Sequence, residues 1–273
     1  MGEIVAPRIA SSLLLVRDRT GAGGNRLEVL MIKRQQRNLF APGVYAFPGG
    51  AVEDFDQDFP PHLLRDPDGC GRADGKASPG LSLLGHLLAE GLSEAEARAV
   101  IVAGLRETFE ETGIFPDCIT GGKETVPAER VSGLRKALRK GEISFKHVLE
   151  RYGMEVDLSL IRYVAHWITP EGLPIRYDTR FFLSPCSTGR TIECEENEIL
   201  YHVWINPREA LEMCRSGGFP MLPPTVAVLS SIADCPDVFS AMDSTLKRTV
   251  SPVCPRIVEK DGKIFLELPD GTA

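Results

Sequence analysis

Residues 104–114 read GLRETFEETGI, and Glu107, Glu110 and Glu111 within them fall at i, i+3 and i+4. On a helix these three carboxylates share one face. Ser93 with Glu96 makes a capping-box pattern upstream, and Gly113 stands where a C′ glycine ends a helix, so the spacing predicts a helix from Ser93 to about Thr112. A solvated acidic face is the plain reading of an isolated E-x-x-E-E, but its placement counts against it here. Like charges at this spacing cost about 0.2–0.5 kcal/mol per pair. Anions in the last turns also oppose the macrodipole by about 0.3–1 kcal/mol each. Arg106 is the nearest basic residue on that face. Carboxylates badly placed for a helix are well placed for a hard divalent cation, which prefers oxygen ligands and reverses the local charge balance.

The whole chain narrows the function classes. At 273 residues it has ample material for a core, and a net charge of −7 with a pI near 5.4 argues against a general nucleic-acid binder. Seven cysteines are scattered without a C-x-x-C pair, which suits reduced thiols rather than a disulfide framework or a zinc site. The N-terminal apolar run is too short for a signal peptide or a span, no later stretch reaches eighteen apolar residues, and PDGTA is no peroxisomal or retention signal. The expectation is a soluble cytoplasmic protein.

Around the predicted helix, ASSLLLV and LEVLMIK read as a hairpin across a glycine-rich turn, and VYAFPGG as a strand ending in a Pro-Gly-Gly turn. Residues 57–92 are rich in Pro and Gly and include the apolar SLLGHLLAEG. Two shorter helices are expected over 128–153, strands at LIRYVAHWI, TRFFLSPC and ILYHVWI, a capped helix at NPREALEMCRSGG and another after the prolines of PPTVAVLSSIA. PRIVEKDGKIFLELP reads as a hairpin around Asp-Gly. Strands mixed with helices make the fold α+β, or an α/β/α sandwich.

RETFEETGI resembles the second half of the Nudix box, R-E-U-x-E-E-x-G-U with U apolar, at Arg106, Glu107, Glu110, Glu111, Gly113 and Ile114; Thr108 departs from the pattern. Five fixed letters arise by chance in a chain this long with a probability on the order of 10⁻⁴. The first half of the box, G-x5-E, is matched by Gly50 in FPGG, with Asp56 in place of Glu. Forty-nine residues separate Asp56 from Arg106 where the box has seven, an insertion of 42. The resemblance implies a Nudix-type α/β/α sandwich with a mixed sheet, read as one domain over 1–273 with an insertion at about 57–92 and a C-terminal extension at about 211–273. It implies Mg²⁺ or Mn²⁺ on Glu107, Glu110 and Glu111 with help from the Gly50 carbonyl, Arg106 as the residue that orients them, and hydrolysis of a nucleoside diphosphate linked to another group. The proton acceptor falls to Glu110 or Glu111, or to the acidic segment before ILYHVWI, with Glu198 ahead of Glu195 there.

For the substrate, the long insertion, the helical 128–153 region and the late hairpin resemble the coenzyme A diphosphatase branch of that family. The expected products are 3′,5′-ADP and (acyl)phosphopantetheine. Lys33, Arg34 and Arg37 are candidate partners for the 3′-phosphate. ADP-ribose, NADH and dinucleoside polyphosphates are rival substrates, and a non-catalytic Nudix-fold nucleotide sensor is the reading from another class. SLLGHLLAEG is either core or an acyl pocket, KALRKGEISFK a solvated basic face, and the five dispersed histidines structural. The partner is a small nucleotide, with neither nucleic acid nor membrane, and a homodimer is the expected assembly.

Overall fold

The computed structural model describes residues 5–21, 26–35, 41–67, 82–122, 126–187, 199–246, 248–260 and 262–269. Arg37 and the segment holding Glu195 and Glu198 lie outside the described residues.

Strands β1 (Arg8–Asp18) and β2 (Leu27–Arg34) pair antiparallel as the hairpin reading requires. The stretch read as one strand and a turn is instead two short strands, β3 (Tyr45–Ala46) on β2 and β4 (Gly49–Ala51) on β1. The glycines of Pro-Gly-Gly are therefore sheet residues. The reason is close approach: a Cβ on Gly49 would lie 2.4 Å from the Ser11 carbonyl oxygen. Helix α1 (Asp54–Gln57) follows, then β5 (Leu64–Arg65), α2 (Leu83–Ala89) and α3 (Glu94–Thr112).

Beyond α3 the chain forms β6 (Ile119–Gly121), α4 (Ala128–Arg139), α5 (Phe145–Tyr152) and β7 (Met154–Asp157), and β5, β7 and β6 make a small sheet of their own. Strands β8 (Arg162–Ile168), β9 (Tyr177–Pro185) and β10 (Ile199–Ile205) return to the main sheet. Helices α6 (Pro207–Arg215), α7 (Pro223–Ile232) and α8 (Val238–Leu246) precede β11 (Pro252–Val253) and the terminal hairpin of β12 (Arg256–Lys260) and β13 (Lys263–Glu267). Sequence analysis passed over α8, although Asp237 accepts from the Ser240 amide at 2.9 Å in its first turn.

The main sheet runs β10-β2-β1-β9-β8-β11 and is mixed, with β1 parallel to β9 and antiparallel to β2. Alternate residues of its central strands enter two different cores. Leu13, Leu15 and Phe182 pack with Leu105, Phe109 and Phe145 on one face, while Leu14, Val16 and Phe181 pack with Val228, Leu229 and Ile232 on the other. Helices thus cover both faces, which is the expected three-layer sandwich. Each fully buried Leu or Phe contributes about 1.5–3 kcal/mol. The described ends of the insertion join the first core through Phe59, Leu63, Leu83 and Leu87. No helix among the described residues is long and apolar enough to cross a membrane.

Candidate active site

Helix α3 begins and ends where its sequence dictates. Ser93 and Glu96 exchange capping bonds, and Gly113 takes a left-handed φ of 74° while its amide closes on Phe109. Gly104 lets the helix settle on β1, since a Cβ there would stand 2.5 Å from Ser11 Oγ. Thr108, the departure from the box, spends its hydroxyl inside the helix on the Gly104 carbonyl at 2.7 Å, so it is buried at no polar cost.

Arg106 is the hub. Its guanidinium, 4% exposed, donates through Nε and Nη2 to the two oxygens of Asp56, both at 2.9 Å, and through Nη2 to the Ala51 carbonyl at 3.1 Å. Its Nη1 donates to Glu107 at 2.7 Å and to Glu110 at 3.3 Å. Asp56, the shorter replacement in the box, is anchored by the Glu53 amide and reaches Arg106 with full bidentate geometry, because α1 brings its backbone close. Glu111 accepts from the Gly49 amide at 2.9 Å, and the Glu107 carboxyl lies 2.5 Å from where a Cβ on Gly50 would be. Glu107 and Glu111 therefore flank the Gly49–Gly50 segment of β4, and Glu110 stands beside them on Arg106.

One guanidinium faces three buried or half-buried carboxylates, with a fourth, Glu111, on the Gly49 amide. Burial is the larger reason, and the Glu107 charge the next, that the Glu110 carboxyl is pushed up from 4.5 to about 7, against the pull of Arg106. Burial also works against the Arg106 cation, but Asp56, Glu107 and Glu110 together hold its pKa above the ordinary arginine value. As the side chains stand, no three His, Cys, Asp or Glu groups among the described residues form a metal-holding cluster. Glu107 and Glu110 turn to Arg106, and Glu111 to Gly49. The donors are nevertheless all hard oxygens with anionic charge in excess, so the set fits a divalent cation in kind.

One residue of KALRKGEISFK, the stretch read as a solvated face, is instead a brace: Arg139 acts on α3 together with Arg135 just before it. Arg135, 3% exposed on α4, donates to the Glu110 and Glu111 carbonyls at 2.9 Å each, and Arg139 donates to the Glu110 carbonyl at 2.9 Å. These two cations satisfy the last carbonyls of α3 and oppose the negative end of its dipole. No one-dimensional pattern links α4 to α3; only their packing does.

Lys33 and Arg34 part company because successive strand residues face opposite ways. Lys33 Nζ lies 5.2 Å from the Tyr45 ring centre and 5.5 Å from that of Tyr201. Arg34 instead lines a cavity of about 370 Å³, together with Gly49 and Gly50. Sequence reasoning missed this cavity, whose wall includes Phe47, Trp167, Phe181, Leu222 and Pro224. The apolar insertion stretch contributes nothing to it; Leu83 and Leu87 are core.

On the α3 face of the sheet, His166 sits in a second buried cluster. Its Nε2 contacts Asp178, and its Nδ1 lies 3.4 Å from Glu90. Arg180 and Tyr163 also donate to Glu90, at 2.9 and 2.6 Å. Burial works against the imidazolium, but Asp178 and Glu90 outweigh it and raise the His166 pKa.

A mixed sheet between two helical layers, with α3 delivering three glutamates to a Gly-Gly strand, defines a Nudix fold. A profile of the NUDT19 Nudix domain matches residues 8–232, and the chain belongs to that family. The crystal structure of a NUDIX hydrolase from Alicyclobacillus acidocaldarius superposes with a TM-score of 0.68 at 28% identity, covering 88% of this chain and 97% of that one. Among curated relatives, acyl-coenzyme A diphosphatase NUDT19 of Gallus gallus is 28% identical over 80% of this chain and 65% of its own. The Xenopus laevis protein of the same name is 25% identical, over 75% and 59% respectively. The chain thus spans less than two thirds of the length of these two relatives.

Proposed function

We propose that the protein is a pyrophosphohydrolase dependent on Mg²⁺ or Mn²⁺, cleaving coenzyme A or acyl-coenzyme A to 3′,5′-ADP and (acyl)phosphopantetheine. The observation that carries this reading is Glu107 and Glu111 at Gly49–Gly50, with Glu110 held beside them by Arg106, which is itself braced by buried Asp56. The substrate class comes from the two relatives named for that activity. We read residues 1–273 as one Nudix domain, with about 57–92 inserted and about 211–273 appended.

In this reading Glu107, Glu110 and Glu111 hold the cation, with the Gly50 carbonyl beside them. A bound divalent ion supplies charge neutralisation for the diphosphate and an acidified water. Arg106 keeps Glu107 and Glu110 on one side of the Gly-Gly strand, and Asp56 fixes Arg106. Water adds across the P–O–P linkage, giving one phosphate a hydroxyl and returning a proton to the site. A carboxylate of this set accepts that proton; Glu198, then Glu195, are the alternatives. Arg34 is the cation we assign to a substrate phosphate, with Lys33 and Arg37 as further candidates for the 3′-phosphate. A homodimer is carried over from the family resemblance, and light scattering measures it.

The test is the purified chain with Mg²⁺ or Mn²⁺ against coenzyme A, acyl-coenzyme A, ADP-ribose, NADH and dinucleoside polyphosphates, with products separated. Release of 3′,5′-ADP that stops in chelator is expected. Preferential cleavage of any of the last three substrates overturns the coenzyme A assignment, and turnover unaffected by chelator overturns the metal.

A further inference from the structure

We infer that Arg135 and Arg139 of α4 are positioning residues for the reaction: through the backbone carbonyls of Glu110 and Glu111 they hold those two carboxylates where a divalent cation needs them. This rests on the metal-dependent reading above, and it extends the catalytic apparatus to a helix outside the motif that carries the glutamates.

The need for such a hold lies in where the acids sit. The last four carbonyls of an α-helix have no amide of their own helix to accept from, and helix ends fray. Glu110 and Glu111 fall within that last turn of α3, where their charges also oppose the macrodipole. The Ile114 amide, which a continuing helix would offer to the Glu110 carbonyl, goes instead to Thr112 Oγ1 at 3.2 Å. Arg135 and Arg139 stand one turn apart on one face of α4 and fill this gap. Arg135 gives Nε to Glu110 and Nη2 to Glu111, and Arg139 gives Nη1 to Glu110, all at 2.9 Å. The fork of Arg135 spans two consecutive peptide units, so it fixes their tilt as well as their place, which a single ammonium does not. Gly113 is fitted to the same contact: a Cβ there would stand 3.0 Å from Val131 Cγ1 and 3.5 Å from Arg135 Cδ.

Charge and geometry pull in opposite directions here, which makes the role testable. Two cations bonded to these residues repel a metal ion, so as charges alone they would weaken its binding. As positioning groups they strengthen it. The gain is larger for Mg²⁺, which demands near-ideal octahedral geometry, than for Ca²⁺, which accepts a flexible shell.

The experiment titrates the full chain with Mg²⁺ and with Ca²⁺ by calorimetry and measures kcat and KM for coenzyme A, comparing Arg135→Lys and Arg139→Gln with the unaltered protein. Arg135→Lys keeps the cation and loses the fork. Arg139 is exposed, so its replacement should leave the fold intact. We expect Mg²⁺ affinity to fall by about 10–100-fold in Arg135→Lys, as for other residues that orient metal ligands, and by less in Arg139→Gln. Ca²⁺ affinity should fall less than Mg²⁺ affinity in both. At saturating Mg²⁺, kcat should fall while KM stays within about twofold. Mg²⁺ affinity that is unchanged or tightened in both variants overturns the assignment. If thermal unfolding shows that Arg135→Lys does not fold, Arg139→Gln decides alone on the same readouts. If the unaltered chain binds metal but cleaves no diphosphate of the panel, the substrate reading fails by itself and the titrations still decide. An unaltered chain that binds no divalent ion refutes the metal reading, and the positioning role with it.

Discussion

The protein buries two ionic clusters, and they differ in balance. Around His166, the Arg180 guanidinium and the imidazole, which joins it as a second cation when protonated, meet two carboxylates, Glu90 and Asp178, with Tyr163 closing the network. Around Arg106, one guanidinium meets Asp56, Glu107 and Glu110, with Glu111 close by on the Gly49 amide. The first cluster lowers the pKa of both its acids against burial, through their contacts with His166, Tyr163 and Arg180. The second leaves Glu110 near neutrality because burial and Glu107 outweigh Arg106. A balanced cluster holds elements together, here the end of α2 to β8 and β9. An unbalanced one is what the cation-holding role proposed above requires.

Substitutions at the unbalanced cluster should separate chemistry from folding. Glu111→Gln and Glu110→Gln are expected to lower turnover by about 10²–10⁴-fold, while thermal unfolding without metal shows the fold retained. Near-normal rates would remove these glutamates from the reaction. Next in size, Asp56→Ala leaves the Arg106 cation buried without its bidentate partner, and denaturant unfolding should show a loss of about 3–5 kcal/mol. A loss under about 1 kcal/mol would mean that the glutamates alone hold Arg106 in place.

The pH dependence sharpens the contrast. Glu110 holds its proton more tightly folded than unfolded, so its contribution to stability falls as pH rises from 4.5 to about 7, by up to about 3 kcal/mol in the metal-free protein. Glu110→Gln should flatten that window, and added Mg²⁺ should offset it. The raised His166 pKa acts in a different window: its contribution is full below 6.5 and is lost as pH rises through the higher folded value. Added Mg²⁺ should leave that second decline unchanged; if it erased both, the two clusters would not be independent. The smallest effect is expected from Glu90→Gln, about 1–2 kcal/mol of stability with turnover within about twofold, since Tyr163 and His166 retain a polar partner. A large loss of rate there would make the balanced cluster part of the catalytic machinery.

Sequence by itself determined whatever depends on spacing along one element. From it came α3 from its capping box to its terminal glycine, the shared face of Glu107, Glu110 and Glu111, and the β1–β2 hairpin. These are readable because periods of 3.6 and 2 residues, and the conformational demands of Ser and Gly, act over a few neighbours. Tertiary structure decided what joins distant segments. Asp56 meets Arg106 across the insertion, Arg135 and Arg139 close the end of a helix to which they do not belong, and Phe47, Trp167 and Leu222 enclose a cavity from three parts of the chain. It also separated Lys33 from Arg34 by the pleat of a single strand, and turned an expected Pro-Gly-Gly turn into a sheet edge. The physical reason is the same each time. Burial and close packing are set by which surfaces meet, and no residue carries in its own neighbourhood the identity of what will pack against it.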